Sequence, residues 1–159
     1  MRLPPATLTF TPSPAWQPKA VTSMMRIGEF VLPRAEGDAE DASLVVYFFG
    51  GTGGTVQANL DRWFSQLSQP DGRQTKDVAA TTSRLINGLS VTMFDATGTY
   101  VAEVTPGSPD RFNKPGFRLR AAVVETPEGP YFIKLIGPAA TVAKWDQTFI
   151  AFLKSVRIG

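Results

Sequence analysis

The feature that most constrains this chain is a six-residue run, Leu44-Val45-Val46-Tyr47-Phe48-Phe49, apolar at every position and without alternation. A strand with one wet face alternates apolar and polar residues, so this run reads as a central strand covered on both faces. Layers must then lie on both sides of the sheet. The run stops at Gly50-Gly51-Thr52-Gly53-Gly54, and a helical period follows from about Thr55 to Ser68. In that stretch Val56, Leu60, Trp63, Phe64 and Leu67 fall within a stripe about 100° wide, the width of a helix lying on a sheet. Gln69-Pro70-Asp71-Gly72 closes it, since proline cannot continue a helix and glycine accepts the left-handed region.

Residues 1–23 contain Pro4, Pro5, Pro12, Pro14 and Pro18 and read as an extended lead-in around Thr7 to Thr11, anchored by Trp16. Met25 to Leu32 alternates loosely toward a strand, and Arg34 to Asp41 is an acidic loop. Sheet is expected at Asp77 to Ile86, Leu89 to Phe94 and Thr99 to Val104, with turns at Asn87-Gly88 and Asp95 to Gly98. Residues 105–117, with Pro106, Gly107, Pro109, Pro115 and Gly116, read as a long loop. Leu119 to Glu125 and Tyr131 to Ile136 form a hairpin across Thr126 to Pro130, in which Lys134 and Glu125 read as a cross-strand ion pair. Pro138 suits the first position of a last helix, whose apolar face carries Val142, Trp145, Phe149, Ile150, Phe152, Leu153 and Val156. The order describes one α+β domain over residues 1–159, an α/β/α arrangement with a mostly antiparallel sheet of about six strands.

The chain of 159 residues is long enough to bury a core without disulfides or metals. It has no cysteine and no histidine. That excludes thiolate nucleophiles, zinc and iron–sulfur sites, the serine–histidine–aspartate triad and any imidazole acid or base. No cofactor is expected. Sixteen Lys and Arg against fourteen Asp and Glu leave a charge of +2, with no basic run of the kind that neutralises nucleic-acid phosphates. The longest apolar run falls far short of the ~20 residues that span a bilayer. The first residues lack the charged and then apolar segments of a leader.

Further landmarks carry a family resemblance. Tyr47-Phe48-Phe49-Gly50-Gly51, Gly53-Gly54 and Asn59-x-x-Arg62-Trp63 occur with Phe10, Pro12 and Trp16, with Met25-Arg26, Phe30 and Leu32-Pro33, and with Gly98-Thr99-Tyr100. Tyr131-Phe132-x-Lys134-Leu135-x-Gly137-Pro138 then precedes a helix with Phe149 and Ser155. Over almost its whole length the chain resembles uncharacterised bacterial proteins, often exported or lipid-anchored, that are similar to the PsbP-like superfamily. The resemblance implies a PsbP-like α/β/α sandwich and a periplasmic or envelope-associated location. It implies no catalytic residue.

Two candidate binding features stand out. A glycine-rich turn between strand and helix can cradle an anion on backbone amides. Gly51, Thr52, Gly53 and Gly54 have that placement but lack the third glycine of a dinucleotide fingerprint and the Lys-Ser/Thr step of a P-loop. The same glycines also serve a tight turn and close helix approach, with Thr52 and Thr55 as caps. On the following helix Asn59, Arg62 and Gln66 share one flank, where two amides and a guanidinium suit a carboxylate, a sulfate or a peptide edge; equally, Arg62 could bridge a carboxylate while the amides face water. Glu36, Asp38, Glu40 and Asp41 lack the ligand spacing of a calcium loop, since the sixth and twelfth places hold Asp41 and Tyr47. Arg111, Lys114, Arg118 and Arg120 with Phe112 and Phe117 make a basic cluster that either is solvated or meets an acidic partner. The leading expectation is a non-catalytic binding or assembly module for a protein partner or a small anionic ligand. The alternative is a small hydrolase or lyase using carboxylates such as Asp95 and Glu103.

Overall fold

The computed structural model describes residues 7–21, 25–49 and 55–159. Its main sheet has eight strands, and every pairing in it is antiparallel. The strands are β2 (Gln17–Pro18), β3 (Arg26–Leu32), β4 (Ala42–Phe48), β5 (Leu67–Ser68), β6 (Ala80–Ile86), β7 (Leu89–Tyr100), β8 (Lys114–Thr126) and β9 (Gly129–Pro138). They lie in the order β2-β3-β4-β9-β8-β7-β5, with β6 pairing the other half of β7. A separate ribbon joins β1 (Leu8–Thr9) to β10 (Arg157–Ile158) and ties the two ends of the described chain together. The helices are α1 (Val56–Phe64), α2 (Thr75–Val78), α3 (Ala139–Lys144) and α4 (Asp146–Lys154).

The apolar run falls on β4, with Phe49 just past its end; β4 lies between β3 and β9, and both of its faces are covered. Leu44 and Val46 pack with Ile133, Leu135, Phe149, Phe152 and Leu153, the core under α4. Tyr47 and Phe49 face the other way, toward Trp63, Phe132 and Leu119, the core under α1. Each fully buried side chain of this size contributes about 1.5–3 kcal/mol, so the two cores fix the strand's orientation against any register slip. Trp16 anchors the lead-in: its ring lies 5.3 Å from that of Phe152, and its Nε1 donates to Thr148 Oγ1 at 3.2 Å.

Several expected boundaries move, each for a local reason. The α1 stripe is as expected, and Thr55 caps the helix by accepting from the Ala58 amide. The helix ends at Phe64 rather than Ser68, because Leu67 and Ser68 leave it to pair with Tyr100 and Thr99 of β7. Residues 95–98 are continuous strand, not a turn. Gly98 is needed there for space: a Cβ would stand 2.7 Å from the Ser68 carbonyl oxygen. Asn87-Gly88 is the expected hairpin turn, with φ of 50° and 80°. Residues 75–78 form a helical turn held by Thr75 Oγ1, which donates to the Leu67 carbonyl at 2.7 Å. The long loop closes earlier than expected, since β8 starts at Lys114. The last helix is split at Trp145, whose indole donates to the Pro33 carbonyl at 2.7 Å, and Pro138 is its cap rather than its first residue.

Gly137 on β9 is equally constrained, because a Cβ would approach Ala42 Cβ to 2.7 Å and Ala42 Cα to 2.8 Å. Gly137→Ala is expected to lower stability by about 1–3 kcal/mol, seen as a lower urea midpoint at unchanged slope. An unshifted midpoint would mean that β4 yields at Ala42 without cost.

Candidate functional site

On the α1 face the sheet carries a cleft with two lobes, of about 680 Å³ and about 310 Å³. Arg26, Tyr47, Tyr100 and Lys134 line both, which makes them its shared floor and wall. Volumes of this order suit small-molecule ligands. The strand period builds the floor: on β9 Lys134 takes the same face as Phe132 and Ile136, and its backbone sits between Val45 of β4 and Ala121 of β8. Lys134 does not oppose Glu125, which faces Pro130 and Ser90, so the expected cross-strand ion pair is not formed.

Lys134 is only 9% exposed. Its Nζ donates to Gln66 Oε1 at 2.5 Å and lies 5.4 Å from the Trp63 ring centroid. Among the described residues no carboxylate lies within 4.0 Å of Lys134, Arg62 or Arg111, all of which line the larger lobe. Burial, reinforced by the charges of Arg62 and Arg26, lowers the Lys134 pKa to about 8. At neutral pH the group is still mostly an ammonium, so the sheet holds a positive charge without a counter-ion.

The other polar groups of the cleft are arranged around it. Arg26 bonds the buried Glu29 at 2.9 Å, and its guanidinium carbon stands 5.6 Å from the Tyr47 ring centroid. Burial pushes the Tyr47 hydroxyl above its usual range, against the pull of the Arg26 and Arg62 charges. Burial also raises Tyr100, aided by Tyr47 and Glu40. Tyr100 stacks on Phe112 and Phe117 at 5.6 Å and 5.3 Å, so this wall is aromatic. The acids at the rim already have partners: Glu40 bonds Lys114 at 3.0 Å, Asp41 bonds Arg34 at 3.1 Å, and Glu103 accepts from the Gly107 amide at 2.5 Å.

The sequence-derived row divides. Arg62 and Gln66 line the cleft, and Gln66 lies beyond the end of α1. Asn59, at 1% exposure, is inside the fold: its amide donates to the Thr55 carbonyl at 3.0 Å, and its Oδ1 accepts from Arg62 Nη2 at 2.7 Å. Gly51, Thr52, Gly53 and Gly54 lie outside the described residues. The basic cluster is divided between faces. Lys114 and Arg111 reach the cleft, whereas Arg118 and Arg120 turn to the α4 side. There Arg118 bonds Asp95 at 2.6 Å, and Arg120 bonds Asp146 with its guanidinium carbon 5.0 Å from the Phe149 ring centroid. Burial of Asp95 is outweighed by its bond to Arg118, which leaves its carboxyl below the usual range. Asp95 and Glu103 therefore serve different faces of the sheet. Lys134, Arg26, Tyr47 and Tyr100 belong to no binding motif in the sequence. The available signal was a single lysine inside the otherwise apolar Tyr131-Phe132-Ile133-Lys134-Leu135-Ile136.

No family model and no curated protein matches the chain. Solved structures that share its fold include two from bacteria. One is PA94 from Pseudomonas aeruginosa, a protein of unknown function, with TM-score 0.54, 13% identity, and 88% of this chain and 94% of that chain covered. The other is LpqN of Mycobacterium tuberculosis, involved in cell envelope biogenesis, with TM-score 0.55, 11% identity, and 98% and 86% covered. No described helix is long and apolar enough to cross a membrane.

Lys134 makes stability depend on pH in a defined direction. Its folded pKa of about 8 lies below its ordinary value of 10.5, so the unfolded chain holds the proton more tightly between these two values. Stability contributed by Lys134 therefore rises with pH across that window. Relative to Lys134→Met, the unmodified protein should gain about 2 kcal/mol between pH 8 and pH 10 in paired urea melts. Parallel curves for the two proteins would contradict the burial of this charge.

Proposed function

We propose that this protein is a non-catalytic binding or assembly module whose cleft takes a small anionic ligand. The observation that carries the reading is Lys134, an ammonium buried in a cleft wall with Gln66 as its hydrogen-bond acceptor and no carboxylate within 4.0 Å among the described residues. An unpaired buried cation is costly, and an anion entering the cleft relieves that cost. Arg62, held by Asn59, and Arg26, held by Glu29, supply further charge.

Two cores on opposite faces of one sheet support a PsbP-like α/β/α sandwich. The fold shared with LpqN supports an envelope setting. A hydrolase built on Asp95 and Glu103 finds less support, because their carboxylates bond Arg118 and the Gly107 amide on different faces.

Binding to the native state raises stability by mass action, about 2.7 kcal/mol at a hundredfold excess over Kd. Sulfate and phosphate at constant ionic strength should therefore raise Tm saturably, and the rise should disappear in Arg62→Ala and Lys134→Met. Because the ligand favours protonated Lys134, affinity should fall as pH rises past about 8. Equal shifts in all three proteins, or a shift that follows ionic strength alone, would overturn the reading.

A further inference from the structure

The cleft places a primary amine where chemistry beyond ion pairing is available to it. Lys134 has 9% of its surface exposed, yet it lines both lobes, so a ligand filling the cleft meets it from the larger and the smaller side. Most protein lysines are unreactive because the amine is protonated in water or fixed to a carboxylate. This amine is largely buried, bonds a neutral amide oxygen, and lies 5.4 Å from the Trp63 ring centroid. Those are the surroundings in which lysines act as nucleophiles toward carbonyl carbon. Its lowered pKa agrees, since two cations and burial all favour the free amine.

The neighbours of Lys134 select among carbonyl compounds. Arg62 and Arg26 line the same lobe and present guanidinium groups that recognise carboxylates in a planar fashion. Tyr47 and Tyr100 add phenolic hydroxyls, which burial keeps protonated and able to donate to an oxygen. An aldehyde or ketone with a carboxylate next to it would place the anion on the arginines and the carbonyl carbon on the amine.

We infer that Lys134 condenses with an anionic carbonyl compound, of the 2-oxo acid class, held in the cleft by Arg62 and Arg26. The amine nitrogen attacks the carbonyl carbon to give a carbinolamine. The carbon–oxygen bond then breaks, a C=N bond forms, and the oxygen leaves as water with the two protons the amine carried. No oxidant or reductant is consumed, and the step is reversible. The inference rests on the cleft being the ligand site proposed above, and it names the class of ligand.

Glyoxylate is the probe, with cyanoborohydride to reduce the imine to a carboxymethyl group and peptide mapping to locate it. The chain has six lysines, and the other five serve as internal references. At pH 7 the initial rate at Lys134 should exceed that at Lys144 or Lys154 by at least about tenfold, since burial and the Arg62 and Arg26 charges favour its free amine. The peptide that carries the α-amine is mapped separately. Arg62→Gln should slow labelling of Lys134 by glyoxylate several-fold more than labelling by neutral formaldehyde, whose rate falls only through the loss of the Arg62 charge beside the amine. Labelling of Lys134 no faster than Lys144 would overturn the inference, and so would an Arg62→Gln effect on the glyoxylate rate no larger than its effect on the formaldehyde rate. If Lys134 resists glyoxylate while sulfate still raises Tm, the covalent step is wrong and the anion site stands. If both responses are missing, both readings fall.

Discussion

The structure depends on the burial of its central strands from both sides. β4 and β9 pair along their length and send alternate side chains into two separate cores, one under α1 and one under α4. Hydrophobic burial scales with the area removed from water, so a strand with two covered faces contributes more than an amphipathic one and tolerates less polarity. The outer elements serve that arrangement. Trp16 and Phe10 bring the lead-in onto α4 through Phe152, and the β1–β10 ribbon closes beside them.

Against that background a lysine in the middle of β9 is the exception that needs a physical account. Displacing its pKa from 10.5 to about 8 corresponds to about 3 kcal/mol held against the charged form. Burial is the largest cause, and the Arg62 and Arg26 charges supply the rest, while Gln66 accepts a hydrogen bond from the amine. A leucine in the same place would satisfy the sheet without that cost. The charge makes sense as part of a site that is completed by something negative, and strongly perturbed groups in clefts are where such sites occur. The contrast with the α4 face supports this. There Arg118 and Arg120 are only partly buried, and each is matched by Asp95 or Asp146.

Much of the fold was legible in the residues. The unalternating Leu44 to Phe49 run announced two layers, the α1 stripe was read residue by residue, and Asn87-Gly88 marked its hairpin. Tertiary pairing decided the rest. Nothing local says that Leu67-Ser68 will join β7, and from that pairing follow the short helix and the need for Gly98, which sequence alone presents as a turn residue. The site was half legible. Arg62 and Gln66 could be placed on one flank from helical spacing, but their facing partner Lys134 comes from a strand 68 residues away from Gln66. The phase that reveals Arg62 also misplaces Asn59, because an amide that bonds its own helix can be buried without looking apolar.

The most direct test of the central claim, that the cleft is an anion site built on a buried lysine, is a crystal structure of the protein soaked in selenate, with the selenium located by anomalous scattering. The account predicts a peak in the cleft within hydrogen-bond reach of Lys134 Nζ and a guanidinium of Arg62 or Arg26, and its loss in Lys134→Met crystals. An empty cleft at saturating selenate, with Lys134 bonded only to Gln66, would contradict it.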